Sequence, residues 1–144
     1  MGTIREMKFE DIPILVRWGN MTPELWGSDD GKWYSQKGLE LMLTHKGDDI
    51  RLVAEEDEKL VGMCLSRYMF EWYYCETLYV DRPYRGRGIA TVLLAEMEKM
   101  AKKKESVTVI MFDVKADNAE AISIYKKLGF KESYKELWVE KRLR

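Results

Sequence analysis

The sequence predicts a mixed α+β fold of about seven strands and about four helices. Three observations lead there. Apolar residues alternate at period two in several short runs, amphipathic stripes at helical spacing separate some of those runs, and turn residues punctuate the joins. At 144 residues the chain is long enough to bury a core without disulfide or metal support. It carries no repeat, low-complexity tract or linker, so residues 1–144 read as one domain.

Thr3–Met7 alternates as a short strand. Ile12–Trp18 follows as a helix, with Asp11 as N-cap and Pro13 in its first turn. Residues 19–34 are loop-like and unusual, setting Trp26, Trp33 and Tyr34 among Glu24, Asp29 and Asp30. Ser35 caps a second helix carrying Leu39, Leu41, Met42 and Leu43. Ile50–Ala54 and Leu60–Tyr68, joined by an acidic turn, make an antiparallel hairpin. Tyr73–Val80 is a strand, with Tyr74, Glu76, Leu78 and Val80 on one face and Tyr73, Cys75, Thr77 and Tyr79 on the other. The loop Asp81–Gly88 feeds a long helix reaching about Lys104, with the stripe Ile89, Val92, Leu93, Met97 and Met100. Val107–Val114 is a strand, Asn118–Leu128 a helix stopped by Gly129, and Phe130–Tyr134 and Leu137–Leu143 the last two strands.

Composition excludes much chemistry. A single histidine and two cysteines make no cluster for a zinc site, so no metal is expected, and a Ser–His–Asp hydrolase would have to depend on His45 alone with no G-x-S-x-G elbow present. Cys64 and Cys75 lie in apolar strands and read as free buried thiols. The opening residues lack the pattern of a signal peptide and no apolar run is long enough to span a membrane, so the expectation is a cytoplasmic protein. Net charge is −1, which speaks against nucleic-acid binding by bulk charge. The charge is unevenly spread: residues 1–80 carry 9 Lys/Arg against 15 Asp/Glu, residues 81–144 carry 15 against 10.

The chemistry concentrates at the junction of the Tyr73–Val80 strand and the helix after it. Arg85-Gly86-Arg87-Gly88-Ile89-Ala90 places two glycines and two arginines at a helix N-terminus, whose unpaired N–H groups and positive dipole end suit a pyrophosphate. It is neither a Walker A loop nor a G-x-G-x-x-G fingerprint.

Arg85-x-x-Gly88-x-Ala90 after Leu78-Tyr79-Val80, with Asn118-Ala119 and Ile124-Tyr125-Lys126-Lys127-Leu128-Gly129-Phe130, resembles the GNAT superfamily of N-acetyltransferases. Glu76–Val80 and the ending Trp138-Val139-Glu140-Lys141 look closest to its spermidine/spermine branch. The resemblance implies a mixed, mostly antiparallel twisted sheet, acetyl-CoA as co-substrate and direct acyl transfer to an amine. It implies that the amides of Arg87, Gly88, Ile89 and Ala90 cradle the pyrophosphate, with charge from Arg85 and Arg87 and with Gly86 in the same loop. Backbone groups of Leu78, Tyr79 and Val80 would pair with the pantetheine arm, and Asn118 would bond that arm or its phosphate region. Tyr125 matches the tyrosine that protonates the departing thiolate. Glu76 matches a carboxylate that binds or deprotonates the amine.

Simpler readings stand beside these. Asn118 is also a good N-cap, Tyr125 a core aromatic, and Glu76 an ordinary strand carboxylate. Trp26, Asp29, Asp30, Trp33 and Tyr34 read either as an acceptor wall for a cation or as core and solvated loop. The expected acceptor is a small amine or polyamine. The alternatives are a protein N-terminus or lysine, and a non-catalytic acyl-CoA-binding sensory module. A homodimer is a family expectation.

Overall fold

The computed structural model describes residues 2–27 and 31–144. Five strands, β1 (Thr3–Glu6), β2 (Ile50–Glu56), β3 (Lys59–Tyr68), β4 (Trp72–Val80) and β5 (Val109–Phe112), form one sheet in the order of the chain. β1 to β4 run as an antiparallel meander, and β5 lies parallel to β4. That parallel step needs a crossover. The helix α3 (Ile89–Ala101) provides it; α1 (Ile12–Asn20), α2 (Gln36–Thr44) and α4 (Ala119–Lys127) are the others.

The helices divide the apolar side chains of the sheet between two cores. On one face Leu52, Cys64, Tyr73 and Cys75 pack with Ile89, Leu93, Leu94 and Met97 of α3. On the other, Val53, Met63, Leu65 and Tyr79 pack with Leu15, Trp18, Trp33 and Leu39. The α3 stripe differs from the expected one in detail. Val92 is exposed while Leu94 and Ala101 are buried, because the helix presents a wide arc to the sheet rather than a narrow seam.

Local signals behave as read at α2, where the Ser35 hydroxyl accepts the Gly38 N–H at 3.0 Å. At α1 they do not. Asp11 turns its carboxylate away from the helix to take two bonds from Arg5 at 2.9 Å and one from the Lys8 N–H at 2.7 Å. Burial alone would raise this carboxyl, but the Arg5 and Lys8 bonds outweigh it and hold it below the usual range.

Two expectations need correction. The runs Phe130–Tyr134 and Leu137–Leu143 pair with no strand, and Leu137 and Val139 stand 93% and 89% exposed. Alternation states which face a strand would bury, but a strand forms only as part of a ladder. The second concerns β4. Leu65 faces Thr77 and Ser66 faces Cys75, so Glu76 is the extra residue of a β-bulge. One inserted residue reverses the alternation beyond it. Tyr73 and Cys75 lie in the α3 core, where Leu78 and Val80 also pack. Leu78 and Glu76 therefore do not share a face. Among the described residues, no helix is long and apolar enough to cross a membrane.

Candidate active site

β4 pairs with β5 only from Trp72 to Cys75, opposite Val109–Phe112, and then continues five residues without it. The backbone of that stretch has an open side. Asp81 donates its N–H to the Val61 carbonyl at 2.9 Å, which sets the alternation of the ladder. Tyr79 faces β3 with Asp81, whereas Leu78 and Val80 turn their N–H and C=O groups into the opening. Tyr79 was expected to offer its backbone there as well; its backbone belongs to β3, and its ring is buried against Trp18 at 5.2 Å.

The opening leads to the N-terminus of α3. A turn at Arg82–Tyr84, held by the Asp81 side chain on the Arg82 N–H at 3.0 Å, brings the chain round. Gly86 and Gly88 then take φ +79° and +81°, a region that disfavours any side chain with a Cβ. A Cβ on either would meet nothing within 4 Å, so the loop keeps an open hollow over the helix end. Among the described residues, the N–H groups of Arg87, Gly88, Ile89 and Ala90 have no backbone acceptor. Converging unpaired donors at a dipole's positive end fit a pyrophosphate. The arginines are engaged: Arg85 donates its Nε–H to the Val80 carbonyl at 2.8 Å and lies over the Tyr79 ring, and Arg87 pairs with Glu56 at 3.0 Å. The Arg87 pair is exposed, so exchanging Glu56 for a phosphate costs little.

Tyr125 on α4 stacks on Phe112 with ring centroids 4.6 Å apart, near the point where β5 ends. Burial pushes its hydroxyl above the ordinary tyrosine value, and Cys75, Cys64 and Asp113 add to the shift. The hydroxyl keeps its proton at working pH. Asn118 caps α4, its Oδ1 accepting the Ala121 N–H at 3.2 Å. Cys75 lies beneath, its Sγ 3.7 Å from that of Cys64. Both are free and buried, and burial raises the Cys75 thiol well above its usual value. A protonated buried thiol is not a nucleophile.

Glu76 does not stand free to receive a proton. Its Oε1 takes a bond from Arg51 Nη1 at 2.6 Å, and its Oε2 takes bonds from the Tyr34 hydroxyl at 2.5 Å and Arg67 Nη2 at 3.0 Å. Its side chain is 6% exposed and that of Arg51 1%, and Asp49 holds Arg51 from the far side at 2.9 Å. A carboxylate whose two oxygens are taken by two guanidiniums and a hydroxyl is a structural anion, with neither oxygen free to meet an amine. The expected acceptor wall is only partly assembled. Trp33 is core, Trp26 donates its indole N–H to the Gly19 carbonyl at 2.9 Å, and Tyr34 is committed to Glu76. Asp29 and Asp30 lie outside the described residues.

Sequence reasoning passed over another carboxylate, placed just past the end of β5 where the two strands part. Asp113, the first residue after β5, is exposed and accepts a hydrogen bond from the Tyr74 hydroxyl. Burial raises that hydroxyl first, and the bond to Asp113 raises it further. Lys115, two residues on, donates to the Trp26 carbonyl at 2.8 Å and ties this loop to the segment after α1. Arg51 was missed too, although one arginine inside Ile50–Ala54 signals a buried ion pair. Among the described residues, no group of three or more His, Cys, Asp or Glu side chains is placed to hold a metal ion.

Comparison with known proteins agrees with this layout. Residues 17–130 match the acetyltransferase (GNAT) family. An N-alpha-acetyltransferase of Sulfurisphaera tokodaii is 33% identical over 94 residues, which take in 56% of this chain and about half (55%) of that protein. Aminoglycoside N(6')-acetyltransferase type 1 of Acinetobacter haemolyticus is 25% identical over 138 residues, 90% of this chain and 92% of that one. The crystal structure of an acetyltransferase of the GNAT family from Streptococcus pneumoniae superposes with a TM-score of 0.74 at 20% identity, over 90% of this chain and 84% of the other. The chain belongs to the acetyltransferase (GNAT) family and is an N-acetyltransferase with acetyl-CoA as its co-substrate.

Proposed function

We propose that residues 1–144 act as one catalytic domain that transfers acetyl directly to a small primary amine within a ternary complex. The observation that carries this reading is the parting of β4 from β5 beside Tyr125, with the α3 N-terminus at the end of the same strand. Acetyl-CoA, when bound, supplies an activated acetyl thioester. The amides of Arg87 to Ala90 hold its pyrophosphate, and Leu78 and Val80 meet the pantetheine arm as a neighbouring strand would. An N–H from that stretch, aimed at the acetyl oxygen, stabilises the charge that develops on it. Asn118 has its Oδ1 occupied as a cap, so its contact with the arm comes from the amide NH₂ group. Tyr125 gives its proton to the departing sulfur.

The incoming amine arrives protonated, and Asp113 takes the place assigned to Glu76. It is exposed just past the end of β5, and the Tyr74 hydroxyl orients it. A spermidine-like acceptor loses support, because Trp33 is core and Trp26, Tyr34 and Glu76 already have hydrogen-bond partners. The similarity to an aminoglycoside acetyltransferase supports a small amine, and the similarity to an N-alpha-acetyltransferase supports a second reading, a peptide N-terminus.

The test is thiol release from acetyl-CoA across amino acids, polyamines, aminoglycosides and short peptides, followed by kcat and melting temperature of Asp113→Asn and Glu76→Gln. Asp113→Asn lowers kcat with the melting temperature held, and Glu76→Gln lowers the melting temperature first. Thiol release with no amine, or the reverse pattern in the two variants, overturns the reading.

A further inference from the structure

The clamped Glu76 belongs to a longer chain of charges. Asp49, Arg51, Glu76 and Arg67 alternate in sign, linked at 2.9, 2.6 and 3.0 Å, with the Arg51–Glu76 pair at the centre. That pair is buried, its side chains 1% and 6% exposed, and Asp49, just before β2, is partly buried at 17%. The last, Arg67, is 47% exposed. Arg67 sits opposite Tyr74 in the β3–β4 ladder, and the Tyr74 hydroxyl reaches Asp113. Met111 is the β5 partner of Tyr74, and Asp113 lies two residues beyond it, so Arg67 and Asp113 stand on either side of one tyrosine with their backbones roughly 12 Å apart, two strand spacings across and two residues along.

We propose that Arg67 is a specificity residue that takes a carboxylate on the acceptor, so that the substrate is an amine with a carboxylate close by, such as an amino acid. The proposal rests on the acceptor site described above. Among the described residues Arg67 spends one nitrogen, Nη2, on Glu76, which leaves the rest of its planar fork for a second carboxylate. Glu76 is itself fixed by Arg51 and Tyr34, so the guanidinium is held in place before substrate arrives, which lowers the entropic cost of binding. Opposite charges on either side of Tyr74 match a zwitterion. A polycation would meet Arg67 and Lys115 as well as Asp113.

The test compares wild type, Arg67→Gln and Arg67→Lys with an amino acid, the same amino acid as its amide, a dipeptide with an acidic second residue, and spermidine. Wild type takes the carboxylate-bearing acceptors at lower KM than the amide. Arg67→Gln raises KM for them roughly 10- to 100-fold, the range for losing a hydrogen bond to a charged group. The amide shifts far less and acetyl-CoA affinity holds. Arg67→Lys recovers part of the loss, restoring charge without the fork. The free amino acid and the acidic dipeptide separate a main-chain carboxylate from a side-chain one. Preference for the amide or spermidine, or a loss shared equally by all acceptors, overturns the proposal while leaving acetyl transfer intact. Absence of thiol release with any acceptor overturns the catalytic reading instead.

Discussion

Glu76→Gln separates two roles that a strand carboxylate beside an active site can play. As a base, Glu76 would lose turnover on substitution and keep its stability. As the central anion of a buried network, it loses stability first. The substitution preserves shape but deletes the charge between Arg51 and Arg67 and presents an NH₂ group where donors already converge. Removing one partner of a buried pair costs about 3–5 kcal/mol. Arg51 keeps Asp49, and Arg67 is half exposed and returns to water, so the lower end applies, about 3 kcal/mol. The Arg51 Nε has no partner among the described residues to compensate. For 144 residues the unfolding entropy is about 0.3 kcal/mol/K, so the melting temperature falls by ~10 °C. Thermal and urea unfolding read the loss, and pH–rate profiles below the melt read the chemistry. An unchanged melting temperature with a collapsed kcat would refute the argument and return Glu76 to the role of base.

Gly88→Ala places a Cβ at φ +81° where no atom lies within 4 Å. It costs about 1–2 kcal/mol of stability, and calorimetry shows CoA binding weakened at least ~10-fold because the methyl fills the approach to the amides; unchanged affinity would move the pyrophosphate elsewhere. Tyr125→Phe leaves the ring on Phe112 and lowers kcat by ~10²–10⁴ with CoA affinity held; near-normal turnover would make Tyr125 a core aromatic only. Asp11→Asn tests the Arg5 pair. Because the folded carboxyl lies below its unfolded value of about 3.9, the pair stabilises fully above that pH and fades as pH falls through the folded value. The variant is therefore less stable than wild type at pH 7, and the two converge in acid denaturation below about pH 4.

What could be read from sequence was whatever the chain decides locally. Ser35 caps α2 because its hydroxyl finds Gly38 three residues on, and Asn118 finds Ala121 in the same way. Gly86 and Gly88 mark positive φ because few other residues tolerate it. Asp11 shows the limit. Its local cap competes with Arg5 from β1, and a charged bidentate partner wins over a neutral N–H of the helix. Nothing in residues 8–14 announces that partner.

The same limit decided the site, and at a single residue. Parity along Tyr73–Val80 puts Glu76 and Leu78 on one face only while the alternation is unbroken, and β3 breaks it by pairing Leu65 with Thr77 and Ser66 with Cys75. A bulge is a property of two strands, so no reading of one strand contains it. Once it is present, Glu76 turns towards Arg51 and Tyr34 while Leu78 and Val80 turn towards α3, and the backbone at the opening is offered separately from the buried charge. Asp113 follows from the other strand's length. β5 stops at Phe112, so the next carboxylate emerges where β4 has lost its neighbour. A strand one residue longer would pair that position in the ladder and close one step of the gap beside Glu76. The length of β5 is therefore what leaves the proposed base exposed next to the parting of the two strands.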